Sequence, residues 1–73
     1  MKIEIYSKDN CPYCDMAINK AISMHDTVVE VFKLGTDFDR DELLEMFPTA
    51  RTFPQIKING ESIGGWDKFK EIT

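Results

Sequence analysis

The first third of the chain changes from an alternating to a helical pattern of apolar residues. Ile3 and Ile5 alternate with more polar residues from Lys2 to Tyr6, which predicts a β-strand. From residue 11 onward the apolar positions have helical spacing, and the face that they form consists of Cys14, Ala17, Ile18, Ala21 and Ile22. Because proline is tolerated in the first turn of a helix, Pro12 fits the start of a helix over residues 12–24.

Three further segments have strand patterns. A β-branched and aromatic run at residues 28–32 predicts a strand that pairs in parallel with the first one, through a right-handed helical connection. Alternating runs at residues 55–58 and 61–63 flank Asn59 and Gly60. Asn-Gly between two alternating runs is a strong signal of a two-residue hairpin turn, so these runs predict an antiparallel pair.

A second helix is predicted between the parallel pair and the hairpin. Asp39 and Glu42 have the spacing of a capping box, and Phe38 and Leu43 have that of a hydrophobic staple at the same helix start. Pro48 cannot continue the helix, which therefore ends just before it. The apolar side of this helix, up to its predicted end at or near residue 47, comprises Leu43, Leu44, Met46 and Phe47.

A short third helix is predicted after Gly64 and Gly65. Its inner face comprises Trp66, Phe69 and either Ile72 or Thr73. The element order is then β-α-β-α-β-β-α, which predicts an α/β fold with a mixed sheet and helices on both of its faces. A chain of 73 residues forms one domain, which we take to span residues 1–73.

Composition and charge argue against nucleic-acid and membrane partners. The formal net charge of −4, with no cluster of Lys and Arg, argues against nucleic-acid binding. No apolar run approaches the roughly 18 residues of a membrane span, and the charged residues near the N-terminus do not resemble a secretory signal. We therefore expect a cytoplasmic monomer without membrane or nucleic-acid partners.

The two cysteines, Cys11 and Cys14, carry the candidate chemistry. With Cys11 at the N-cap, its sulfur would accept hydrogen bonds from the N–H groups of Tyr13 and Cys14, and the helix dipole would add to them. These interactions favour a thiolate and lower the pKa of Cys11, and the positive charge of Lys8 acts in the same direction. Cys14 lies on the apolar face one turn later, so we expect it to stay a thiol until Cys11 is oxidised. Thiol–disulfide exchange needs this asymmetry between an attacking and a resolving sulfur.

Two other interpretations of the cysteine pair are weaker. Structural zinc needs four ligands, and beyond these two cysteines the chain offers only His25, which we place in a solvated turn. A structural disulfide that closes such a short loop would remove little chain entropy. No metal is therefore expected.

Three segments together resemble the glutaredoxin family over essentially the whole chain. Cys11-Pro12-Tyr13-Cys14 resembles the family's dithiol active site. Arg51-Thr52-Phe53-Pro54 resembles its Thr-Val-Pro segment, whose proline is cis, and Gly64-Gly65-Trp66-Asp67 resembles its Gly-Gly-x-Asp-Asp segment. The resemblance implies a thioredoxin-like fold, in which a four-stranded mixed sheet is flanked by helices.

The resemblance also implies a glutathione-dependent thiol–disulfide oxidoreductase, with Cys11 and Cys14 as catalytic residues. It implies that the backbone of Phe53 binds the cysteinyl part of glutathione and that Asp67 meets the γ-glutamyl amine. Lys8 and Arg51 would meet the glycyl carboxylate, and Tyr13 would flank the mixed disulfide. The expected glutathione-binding residues are Lys8, Tyr13, Arg51, Thr52, Phe53, Pro54, Gly65, Trp66 and Asp67. Expected protein partners carry disulfides or glutathionylated cysteines, and ribonucleotide reductase is one acceptor that the resemblance suggests.

Three departures from the family pattern leave other functions open. Phe53 replaces the usual valine, Lys68 replaces the second aspartate, and Trp66 replaces a small residue or cysteine. The tryptophan resembles redoxins that take electrons from thioredoxin reductase and serve ribonucleotide reductase. An iron–sulfur cluster carrier is a third possibility. Pro12 argues against it, because cluster-binding members usually have a small, flexible residue at that position.

Overall fold

The computed structural model describes residues 1–72, and its elements follow the predicted order. The strands are β1 (Lys2–Ser7), β2 (Val28–Lys33), β3 (Gln55–Ile58) and β4 (Glu61–Gly64). The helices are α1 (Pro12–Ser23), α2 (Arg40–Met46) and α3 (Trp66–Phe69). Thr73, one of the two candidates for the inner face of α3, lies outside the described residues, whereas Ile72 packs against the core.

The four strands form one mixed sheet in the order β2-β1-β3-β4. β1 pairs in parallel with β2, as the strand–helix–strand unit predicts, and Ile3 lies opposite Val29. β1 pairs in antiparallel fashion with β3, and β3 with β4. Asn59 and Gly60 both have positive φ angles, which fits the predicted hairpin turn.

The alternation of β1 directs side chains into two hydrophobic clusters on opposite faces of the sheet. Ile3 and Ile5 are fully buried on one face with residues of α1, β3 and α3. Tyr6 points to the other face, where its ring packs on Phe32, Phe38 and Phe47 with centroids 4.9, 5.3 and 5.2 Å away. Burial raises the pKa of Tyr6, so its hydroxyl stays neutral well beyond neutral pH. A single strand therefore anchors α1 and α3 on one side and α2 on the other.

The predicted start of α2 is confirmed in atomic detail. The Asp39 carboxylate accepts a hydrogen bond from the N–H of Glu42 at 2.8 Å, and the Glu42 carboxylate accepts one from the N–H of Asp39 at 3.2 Å. Phe38 and Leu43 are both buried in the same cluster, as expected of a hydrophobic staple. The helix ends at Met46, one residue before Phe47.

Two residues of the predicted apolar helix faces are exposed. Ile22 is 66% exposed, because it lies about 100° around α1 from Ala21, the residue that meets the sheet. Leu44 is 43% exposed, because α2 packs on the sheet through Leu43 and Phe47, which share one face, and Leu44 lies about 100° around the helix from Leu43. Neither is a polar residue, so the apolar pattern alone did not separate them from the core.

Across the described part of the chain, none of the helices is both long enough and apolar enough to cross a membrane.

Ile5→Ala and Ile22→Ala remove the same atoms from a buried and an exposed position. We expect Ile5→Ala to lower the free energy of unfolding by about 2–5 kcal/mol, because it leaves a cavity between the sheet and α1. Ile22→Ala should change it by less than about 0.5 kcal/mol. Urea unfolding followed by circular dichroism measures both, and equal losses would contradict the placement of the core.

Candidate active site

Cys11 is the N-cap of α1, at the point where the loop after β1 becomes helical. Its backbone is extended, with φ −123° and ψ 95°, and Asn10 before it has a positive φ of 54°. The N–H of Cys14 donates a hydrogen bond to the Cys11 sulfur over 3.2 Å. This confirms the predicted N-cap, although within residues 1–72 the predicted second donor, the N–H of Tyr13, makes no such bond.

Cys11 and Cys14 form a disulfide, with their Cα atoms 5.2 Å apart. The structure therefore represents the oxidised form of the pair. Cys14 is 1% exposed and belongs to the buried face of α1, whereas Cys11 is 8% exposed at the end of the helix. A target sulfur can therefore approach Cys11 more easily than Cys14.

The same geometry favours negative charge on Cys11 once the disulfide is reduced. The N–H of Cys14 and the positive end of the helix dipole both face the Cys11 sulfur. The carboxylate of Asp9, two residues earlier, is paired with the ammonium of Lys33 at 2.6 Å, which raises the pKa of Lys33. That pairing offsets a negative charge that would otherwise oppose a thiolate nearby. The pair thus has the features of an attacking and a resolving thiol.

The loop before β3 contains the Arg51-Thr52-Phe53-Pro54 segment. The Phe53–Pro54 peptide bond is cis, as the family resemblance implied, and Pro54 is fully buried. The buried side chain of Gln55 donates a hydrogen bond to the carbonyl of Thr52 at 2.8 Å, which holds the loop in place. The role of Gln55 was not predicted, because its strand alternates polar and apolar residues and a glutamine there gives no separate signal.

The backbone of Phe53 is available for a partner. In the part of the chain that the structure describes, neither the N–H nor the C=O of Phe53 makes a hydrogen bond. The residue sits just before the strand ladder begins at Gln55. An extended peptide could use both groups, as an added strand does.

Gly65 allows the start of α3 to lie close against the Phe53–Pro54 loop. A Cβ at this position would lie 3.2 Å from the carbonyl oxygen of Pro54 and 3.7 Å from the hydroxyl oxygen of Thr52. A side chain at this position would therefore be tight against the loop, and the loop or the start of α3 would have to shift by a few tenths of an ångström. Gly65 and Pro54 are thus structural neighbours that let Asp67 and Thr52 share one surface.

A groove of about 270 Å³ lies along this surface, and five of its lining residues were predicted as ligand contacts. They are Tyr13, Thr52, Phe53, Trp66 and Asp67. The sixth, Lys70, was missed by sequence analysis because it lies outside the Gly-Gly-x-Asp-Asp pattern. Its position one helical turn after Trp66 was the available signal, since residues four apart share a helix face.

Lys8 and Arg51 lie outside the residues that line this groove. The Lys8 ammonium lies 5.6 Å from the centroid of the Phe53 ring, a cation–π distance. The Phe53 ring also stacks on Phe38, with the two centroids 6.4 Å apart. Lys8 is therefore at the edge of the site, whereas Arg51 is an exposed loop residue for which no polar contact appears among the described residues.

Among residues 1–72, no group of three or more His, Cys, Asp and Glu side chains is arranged to hold a metal ion.

The glutaredoxin family model matches residues 3–63 of the chain. Glutaredoxin 3 of Escherichia coli is 33% identical over 69 residues, which cover 89% of this chain and 77% of that protein. Glutaredoxin-C4 of Arabidopsis thaliana is 35% identical over 68 residues, and this chain spans 50% of its length.

Solved structures agree with this relationship. Oxidised Escherichia coli glutaredoxin superposes with a TM-score of 0.74 at 25% identity, covering 96% of this chain and 89% of that one. Glutaredoxin 1 from Francisella tularensis superposes with a TM-score of 0.73 at 25% identity, covering 94% and 87%. The predicted fold class is therefore confirmed.

The asymmetry of the cysteine pair predicts unequal reactivity after reduction. With limiting iodoacetamide at pH 7, we expect Cys11 to be alkylated about tenfold faster than Cys14, because it has the larger thiolate fraction and exposure. Fragment mass spectra of the peptide that contains both cysteines measure the two rates. Urea-unfolded protein is the control, in which the difference should disappear. Faster labelling of Cys14 in the folded protein would contradict the assignment.

Proposed function

Because this chain belongs to the glutaredoxin family of thiol–disulfide oxidoreductases, we propose that glutathione is its reductant and that it acts on protein disulfides and glutathione mixed disulfides. The observation that carries the proposal is the backbone of Phe53, whose N–H and C=O make no hydrogen bond within residues 1–72, on a groove that Tyr13 and Asp67 also line. A small peptide with a cysteine can pair with that backbone and be fixed at its ends by charged side chains.

Each end of glutathione has a charge partner in this proposal. The carboxylate of Asp67 meets the γ-glutamyl amine at one end of the groove. Beyond the other end Lys8 leaves its cation–π contact with Phe53 to bind the glycyl carboxylate. Arg51, an exposed residue of the loop that contains Phe53, binds the same carboxylate. Tyr13, 57% exposed, flanks the mixed disulfide, and Thr52 and Trp66 line the groove beside it. Pro54 and Gly65 lie behind this lining, where their close approach supports it.

The first half-reaction uses Cys11 alone. The Cys11 thiolate attacks the glutathione sulfur of a glutathionylated protein, the protein sulfur leaves as a thiolate and takes a proton, and a Cys11–glutathione disulfide forms. The thiolate of a second glutathione attacks the glutathione sulfur in that disulfide. Cys11 is released as a thiolate, and oxidised glutathione leaves.

Protein disulfides require both cysteines. Cys11 attacks one target sulfur and forms a mixed disulfide with the target. The Cys14 thiol, after losing its proton, attacks the Cys11 sulfur, which releases the reduced target and forms the disulfide present in this structure. Two glutathione molecules then reduce that disulfide in sequence and leave as oxidised glutathione.

We further propose that the protein works as a cytoplasmic monomer. Its substrates would be proteins with disulfides or glutathionylated cysteines, among which ribonucleotide reductase is one candidate.

Cys11→Ser and Cys14→Ser separate the two routes. With a glutathionylated peptide, glutathione, glutathione reductase and NADPH, we expect Cys11→Ser to abolish turnover, because no attacking sulfur remains. Cys14→Ser should retain deglutathionylation but lose the reduction of a protein disulfide. NADPH absorbance follows both reactions. Normal turnover by Cys11→Ser, or loss of both activities in a folded Cys14→Ser protein, would overturn the proposed roles.

A further inference from the structure

The groove beside the cysteines has two opposite charges on one wall. Asp67 and Lys70 both line it and are three residues apart, so they project from neighbouring positions of the last helical segment. Within the described residues the only salt bridges join other partners, so this carboxylate and ammonium do not neutralise each other. A groove with a separated negative and positive group fits a ligand that carries both charges at similar spacing.

We propose that Lys70 is a specificity-determining residue, which pairs with the α-carboxylate of the γ-glutamyl group while Asp67 pairs with the α-ammonium of the same group. The inference rests on the proposed use of glutathione. The α-carbon of that group carries an ammonium and a carboxylate, which makes it a zwitterion of the required kind. Because Lys68 replaces the usual second aspartate, the Gly64–Lys68 segment has Asp67 as its one carboxylate. The cation that lines the groove is Lys70.

The backbone at Lys70 is fixed from two directions. Its N–H donates a hydrogen bond to the carbonyl of Trp66 at 2.8 Å. Its carbonyl accepts one from the ammonium of Lys20 on α1 at 3.1 Å, and that ammonium also lies 5.3 Å from the centroid of the Phe69 ring. The point from which the Lys70 side chain extends is therefore anchored to α1, the helix that Cys11 caps.

Lys68 provides a matched control on the same helix. Its Cγ lies 3.3 Å from the position that a Cβ on Gly64 would occupy, and it does not line the groove. Lys68→Gln removes the same charge as Lys70→Gln, two residues away in the sequence. A difference between the two variants therefore reports on the groove and not on the net charge of the protein.

The experiment measures formation of the Cys11 mixed disulfide in the Cys14→Ser background, where this species cannot be resolved internally. The probes are the disulfide of glutathione, the disulfide of its analogue that lacks the α-carboxylate, and the disulfide of its analogue that lacks the α-amine. Mass spectrometry gives the rate at each concentration. The alkylation rate with iodoacetamide, an uncharged probe, shows whether Lys70→Gln alters the Cys11 thiolate itself.

We expect Lys70→Gln to slow the reaction with glutathione disulfide by about two- to fivefold, the range of an exposed ion pair, and more at low than at high salt. The analogue without the amine should show the same loss, and the analogue without the carboxylate should show none. Iodoacetamide alkylation and the Lys68→Gln rates should be unchanged.

An equal effect of Lys70→Gln on all three probes, or an equal effect of Lys68→Gln, would overturn the role of Lys70. No effect of Lys70→Gln on a normal glutathione reaction would overturn it as well, and would leave the proposed function intact. Failure of every variant, including the Cys14→Ser parent, to react with glutathione disulfide while iodoacetamide still alkylates Cys11 would overturn both proposals.

Discussion

The hydrogen bond from the N–H of Cys14 to the sulfur of Cys11 is the interaction on which the site depends. It places one cysteine at the positive end of α1 and the other on the buried face one turn later. The two sulfurs differ in exposure and in thiolate stability only because the helix begins at Pro12 and its buried face docks on the sheet. The fully buried Ala17 and Ala21 allow that close docking, so the packing of α1 and the chemistry of the pair have the same structural cause.

Strand β1 connects this pair to the rest of the binding surface. It leads into the Cys11 loop at one end, and along its length it pairs with β3, which follows the Phe53–Pro54 loop. The approach of Gly65 to the carbonyl of Pro54 then brings the start of α3 alongside. Three segments that are far apart in the sequence thus meet at one end of the central strands, and residues from all three line the groove.

The sequence predicted what depends on local chemistry. The capping box at Asp39, the Asn59-Gly60 turn and the N-cap at Cys11 each follow from neighbouring residues, and each is present. Periodicity located the helix faces but not how far the sheet extends beneath them, so Ile22 and Leu44 were included in the apolar faces although both are exposed. Gln55 was missed because its hydrogen bond to the Thr52 carbonyl, three residues back, belongs to an irregular loop that has no periodic signal. Lys70 was missed because the groove that it lines forms only when distant segments pack together.

The most direct test of the account is the electron source for the Cys11–Cys14 disulfide. Oxidised protein would be mixed with glutathione, glutathione reductase and NADPH, or with thioredoxin reductase and NADPH, while Trp66 fluorescence and free thiols are followed. The account predicts rapid reduction by glutathione. Reduction by thioredoxin reductase alone would retain the dithiol chemistry but contradict the glutathione site, and it would point to Trp66 and Lys68 as the departures that changed the reductant.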